Sequence, residues 1–161
     1  MKGRILLGLA ALVICFFLAG CEYEPKDKLY TNSEFSITME EDMTNEENSF
    51  NYENINVKMN TIKNSFESYK DSEVKLTKDN TVIDYAGTIL NSLGTDYELI
   101  LQDNLSFYKY EEKENNKTYF HFVSYYKSDD AFWSFNFSCE AKDKDKYLPK
   151  FKEWAKTVKF N

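Results

Sequence analysis

The chain has 161 residues, with 27 acids, 20 bases and one histidine, for a formal charge of −7. That length fits one domain, and the acidic balance argues against a nucleic-acid binder, whose affinity is built from clustered Lys and Arg. Five glycines and two prolines exclude collagen-like and Pro/Gly-rich disordered architectures, and an aromatic share of 17% is too rich for an intrinsically disordered chain, so a packed core is expected.

Residues 1–20 read as a secretory signal of lipoprotein type. Met1-Lys2-Gly3-Arg4 supplies a positive start, and Ile5 to Ala19 is an uncharged stretch of 15 residues. That is shorter than the roughly 18 to 20 residues a membrane-spanning helix needs. Leu18-Ala19-Gly20-Cys21 then resembles the bacterial lipobox, which predicts cleavage between Gly20 and Cys21 and diacylglycerol on the Cys21 sulfur. The alternatives are an ordinary signal peptide ending near a cysteine, or an uncleaved anchor.

On the lipobox reading Cys15 leaves with the signal, Cys21 carries lipid and Cys139 remains alone. No intramolecular disulfide can then form, and stability must come from the apolar core. Two acyl chains, at roughly 0.8 kcal/mol per buried methylene, make the attachment stable. Loss of Lys2 and Arg4 takes the charge to −9, and residues 22–54 hold ten acids against Lys26 and Lys28. Acidity beside anionic headgroups is expected to hold the domain off the surface within a Debye length of about 8 to 10 Å.

Residues 21–33 read as the lipidated cysteine and a polar tether interrupted by Pro25, and residues 34–161 as one globular domain. Glu34 to Met39 alternates Phe35 and Ile37 with polar neighbours, as a strand does. Glu40 to Ser49 is acidic and loop-like. Residues 52–62 set Ile55, Val57 and Met59 on one side of a second strand, with a helix running on into Phe66 and Tyr69 as the alternative. From Asp79 to Leu93 the period turns helical through Val82, Ile83, Ala86, Ile89, Leu90 and Leu93, with Asn80 or Thr81 as N-cap and Gly94 as C-cap.

Four strand-like segments follow, Tyr97 to Gln102, Leu105 to Glu111, Thr118 to Tyr126 and Ala131 to Cys139, with separators short enough for hairpins. Ala131, Trp133, Phe135, Phe137 and Cys139 share one face of the last, so Cys139 reads as a buried, inert thiol. Asp145 to Lys159 closes the chain as an amphipathic helix with Leu148, Phe151, Trp154, Ala155 and Val158 on its apolar stripe and Pro149 near its first turn. The fold class is α+β: an antiparallel meander flanked by helices.

This order of elements, FSITM, a central helix, a meander ending in AFWSFNFSC and the closing YLPKFKEWAKTVKF, resembles the PsbP-like proteins. In particular it is similar to uncharacterised lipoproteins of low-GC Gram-positive bacteria. The resemblance spans about Glu34 to Phe160 and implies an α/β/α sandwich around an antiparallel sheet, with a cystatin-like or NTF2-like helix-plus-sheet scaffold as the alternative. The family includes an extrinsic subunit of the photosynthetic oxygen-evolving complex and a nuclear import factor that binds Ran. It therefore implies a binding or accessory module more than an enzyme. Metal sites of photosynthetic members do not carry over, because the chain has one histidine and matches no ligand motif.

No G-x-S-x-G elbow, phosphate-cradling glycine loop, H-E-x-x-H or C-x-x-C occurs in the sequence. The acidic run Glu40, Glu41, Asp42, Glu46 and Glu47 lacks the spacing and turn glycine of an EF-hand. No cofactor or metal is expected. The candidate binding face is the set Tyr108, Tyr110, Tyr119, His121 and Tyr125, aromatic yet hydroxyl-bearing. The same residues suit packing under a helix, with their hydroxyls reaching solvent at its edges, better still. The expectation is a lipid-anchored extracytoplasmic accessory protein, attached to the cell membrane through diacylglycerol on Cys21, that contacts an envelope protein or small ligand. The alternatives are a structural or inhibitor-like module without a pocket, and a small hydrolase joining His121 to Ser106 or Ser124.

Overall fold

The protein's structure is a computed structural model that describes residues 25–45, 49–70, 73–94 and 96–161. Cys21 and the signal lie outside the described residues, as do Glu46 and Glu47 of the acidic run. In chain order the elements are β1 (Asp27–Thr31), β2 (Phe35–Glu40), β3 (Thr44–Asn45), β4 (Tyr52–Glu53), β5 (Val57–Ser65), α1 (Val82–Leu93), β6 (Ile100–Gln102), β7 (Leu105–Glu114), β8 (Lys117–Lys127), β9 (Ala131–Glu140), α2 (Lys144–Lys156) and β10 (Lys159–Phe160).

Paired left-handed residues close two of the hairpins. Asp103 and Asn104 (φ 54° and 64°) join β6 to β7, and Asn115 and Asn116 (φ 48° and 65°) join β7 to β8. Two consecutive positive φ values match the twist of antiparallel strands, and Asx side chains tolerate that region. The resulting sheet has seven strands in the order β3-β4-β5-β9-β8-β7-β6, with antiparallel neighbours throughout. A second sheet has the order β1-β2-β10.

The two faces of the large sheet are covered differently. On one, Phe122, Trp133, Phe135 and Phe137 meet Phe35 of β2 and Phe151 and Trp154 of α2, all within 3% of full burial. Buried polar tips are satisfied there: Tyr126 Oη donates to the Ala155 carbonyl at 2.8 Å and Trp133 Nε1 to Ser128 Oγ at 3.1 Å. Cys139 is buried on this face, and burial, followed by Asp143, pushes its thiol up to about 12. On the other face α1 lays Tyr85, Ala86 and Leu90 over Tyr108, Val123, Tyr125 and Phe132. Tyr85 stacks on Phe132 at 4.8 Å.

Helix α1 starts as its residues predict. The Thr81 hydroxyl accepts from the Asp84 N–H, and the Asp84 carboxylate accepts from the Thr81 N–H, a reciprocal capping box. Gly94 ends it at φ 62°, where a Cβ would be strained.

Several expectations need correction. Residues 27–31, expected in the tether, pair in register with β2, because Tyr30 can pack against Tyr52 and hydrogen-bond the Glu40 carbonyl. The strand expected over 52–62 is broken: Asn54 Oδ1 accepts from the N–H groups of Asn56 and Val57, turning the chain and leaving Ile55 outside the core that takes Val57 and Met59. Phe66–Tyr69 is a single 3-10 turn, not a helix running on from 62. Of the strand expected from Tyr97, residues 100–102 are paired. The closing helix ends at Lys156, where Thr157 Oγ1 accepts from the Thr38 N–H and carries the chain into β10. Pro149 sits in the second turn of α2, since the preceding turn, Ala141–Asp143, is 3-10.

Salt bridges tie segments together at the rim. Lys63 Nζ lies 2.8 Å from both Glu34 and Asp130, and Glu140 takes Lys117 and Lys142. Lys63 holds the Asp130 carboxyl below its usual 3.8, the Thr81 N–H and hydroxyl do the same for Asp84, and Lys117 and then Lys142 bring Glu140 down to about 2. Carboxyls whose folded values are depressed contribute stability above their unfolded values and lose it as pH falls through the folded ones. The melting temperature is therefore expected to hold steady from neutral pH to about 5 and to fall steadily below about 4, a profile that calorimetry against pH will check.

Candidate functional site

Strand alternation puts the five expected face residues on the same side of the sheet as α1, and the register then divides them. Tyr108 and Tyr125 are buried beneath α1. Burial raises both phenols, and Tyr125 Oη has no hydrogen-bond partner at ordinary distance. These two side chains are core, the packing alternative for this set. Tyr119 and His121 lie outside the cluster beneath α1, Tyr110 packs at its edge, and all three are half-buried.

The bare part of this face is a groove of about 490 Å³. Its floor is a row of aligned residues across three strands: Lys58 of β5 faces Ser138 of β9, which faces His121 of β8, and Tyr110 of β7 continues the row outside the groove. Asn60 and Tyr119 flank that row, and the Asn54–Asn56 turn, Glu112, Asn115 and Lys117 form the rim. The imidazole is held on both sides. Its ring stacks on Tyr110 at 4.4 Å and an 8° tilt, and Nδ1 and Asn136 Oδ1 are hydrogen-bonded at 3.2 Å, fixing the orientation of a ring that lines the groove. Tyr110 in turn stacks on Tyr97 and Tyr108, and burial, then Tyr108 and Glu112, pushes its hydroxyl up to about 12.

The groove's lysines are paired within the protein, while the rim carboxylates Glu112 and Glu114 have no ion pair among the described residues. Lys58 reaches Glu53 at 3.3 Å, and Lys117 is bound to Glu140. Around the Tyr119 and His121 rings the groove offers neutral donors and acceptors and two rim carboxylates, chemistry suited to a polar ligand that is neutral or positively charged.

The serines weighed as nucleophiles are not brought to His121. Ser124 faces the opposite side of the sheet, where Oγ donates to Tyr126 Oη. Ser106 pairs with Tyr125, four residues along β8 from His121, a separation of about 13 Å. In the acidic run Glu40 is buried and bonded to Lys150, and Asp42 accepts from Asn54. Among the described residues no group of three or more His, Cys, Asp and Glu is arranged to hold a metal ion, and no helix is long and apolar enough to cross a membrane.

Sequence reasoning missed Lys58, Asn60, Asn136 and Ser138. The even positions of β9 were legible as a polar face, but aligning them with His121 needs the hairpin register through Lys127 and Phe132.

No protein-family model matches the chain, and no curated protein matches it. Solved structures do. The solution structure of cyanobacterial PsbP (CyanoP) from Synechocystis sp. PCC 6803 superposes with a TM-score of 0.50 at 11% identity, over 89% of this chain and 97% of that one. The fold is PsbP-like. A crystal structure from Bacteroides thetaiotaomicron matches with a TM-score of 0.53 at 17% identity, over 86% of this chain and 49% of that one, so the chain spans about half the length of that relative. On this PsbP-like scaffold the layers are α1, the seven-stranded sheet, and α2 with the small sheet, the sandwich that the resemblance implied in place of a cystatin-like or NTF2-like one.

Proposed function

We propose that the protein is a lipid-anchored, extracytoplasmic binding module whose contact surface is the groove around Tyr119 and His121. The observation that carries this reading is the aligned row Lys58, Ser138 and His121, left bare by α1, with the imidazole held by stacking on Tyr110 and by Asn136. A groove of about 490 Å³ lies within the usual size range of small-molecule sites. Its paired lysines and its rim carboxylates Glu112 and Glu114 favour a polar, neutral or positively charged ligand or protein segment over an anion. The anchor reading is supported by the lipobox-like Leu18 to Cys21.

Two experiments test the two halves separately. Cys21→Ala should abolish metabolic labelling with a fatty acid and cleavage before residue 21, and unchanged labelling overturns the anchor. For the groove, a benzophenone amino acid at position 119 on intact cells should yield an adduct of defined mass that Asn60→Trp, which fills the groove, removes. The same probe at Ile83, exposed on α1, should yield none. Equal adducts at both positions, or none at 119, reject the groove as the contact surface.

A further inference from the structure

We infer that the end of the domain carrying the Asn54–Asn56 turn rests on the bilayer, with the Ile55 side chain inserted at the lipid interface. This rests on the lipid anchor at Cys21 proposed above.

Ile55 is 94% exposed, the most exposed of the large apolar side chains among the described residues. It is also held out. Asn54 Oδ1 accepts from the N–H groups of Asn56 and Val57, both at 2.8 Å, fixing the turn, while Val57 is buried. The same Asn54 donates through Nδ2 to Glu40 and Asp42, at the end of β2 where the chain enters the fold: the Glu41 N–H donates to the Lys26 carbonyl at 2.7 Å, and Asp27 pairs with Glu40. The exposed isoleucine and the chain entry therefore share one end of the sheets.

Chain length does the rest. Cys21 precedes Lys26 by five residues, which span at most about 17 Å even when fully extended. The opposite end of the sheet, where β5 meets the β8–β9 hairpin at Ser65 and Ala131, lies a nine-residue strand away, about 30 Å. A lipid on Cys21 thus holds the Ile55 end at the membrane and keeps the other end from it. Nearby charges are net acidic, Glu22, Glu24, Asp27, Glu40, Glu41, Asp42 and Glu53 against Lys26, Lys28, Lys58 and Lys150, so the contact is one of apolar insertion and not of attraction to anionic headgroups. That makes it insensitive to salt.

The test uses the full-length lipidated protein, processed in its host and reconstituted into phosphatidylcholine vesicles, with the environment-sensitive fluorophore NBD on Ile55→Cys or on Leu101→Cys. Leu101 is exposed on β6 beside the β6–β7 hairpin, away from the chain entry. Cys139 is buried and resists labelling. On reconstitution, emission from position 55 should rise several-fold, shift to the blue, and be quenched by lipids with nitroxides near the headgroup, equally at low and high salt. Position 101 should be unaffected. Flotation with the vesicles but no quenching at 55, or equal quenching at both positions, overturns the inference and leaves the anchor standing. Failure of the wild-type protein to float with the vesicles overturns the anchor and the inference together.

Discussion

A chain ending at Asp145 is expected to lose cooperative unfolding altogether. The deletion removes Tyr147, Phe151, Trp154 and Ala155, all within 3% of full burial, and with them the aromatic contacts to Phe122 and Phe137. It also removes β10 from its place beside β2, and the Tyr126 hydroxyl loses its acceptor at Ala155. Truncating one buried Phe or Trp to alanine costs about 3–5 kcal/mol, and whole domains are stable by about 5–15 kcal/mol. Losing two such residues, a buried tyrosine and a strand exceeds the margin. Circular dichroism during heating will show a sloping, non-cooperative trace. A sigmoidal melt in the truncated chain would show that α2 is peripheral to the core.

Lys150→Met should have the largest effect expected of a single substitution in the polar network. Glu40 is 2% exposed, at the end of β2, and its carboxylate takes Lys150 at 2.7 Å and Asn54 Nδ2 at 3.2 Å. Methionine keeps the length and apolar stem of lysine but leaves a carboxylate buried without its cation, which costs about 3 kcal/mol, at the low end for such pairs because the Lys150 side chain is partly exposed. The double replacement Glu40→Leu with Lys150→Met should recover most of that loss, because the desolvation cost goes with the charges. Denaturant melts of the two single variants and the double variant give the coupling directly. Additive losses would mean that the pair contributes through packing alone.

Much of the fold was legible because it follows local rules. The 3.6 period of Val82 to Leu93, its capping Thr81 and its terminal Gly94 located α1. The strict alternation of Ala131 to Cys139 identified both the core strand and the burial of its thiol. The misreadings arose where a side chain overrides the alternation of its neighbours. Asn54 interrupts the apparent strand of Ile55, Val57 and Met59 by bonding two backbone N–H groups. β1 depends on a partner strand that lies next to it and on Tyr30 finding Tyr52, neither of which composition reveals. The candidate site was half legible. Parity placed Tyr108, Tyr110, Tyr119, His121 and Tyr125 on one face, but the line between core and groove is drawn by where α1 ends over the sheet, a tertiary fact. The polar partners on β5 and β9 come from register across strands far apart in sequence.

The place of β2, between β1 and β10, makes the small sheet wait for residues far along the chain. Asn161 donates through its side chain to Asn32, 129 positions earlier, and Thr157 bonds Thr38 across 119. Contacts of such separation form late, because a long loop must close before they contribute. A nascent chain therefore cannot finish its small sheet until β10 has been synthesised.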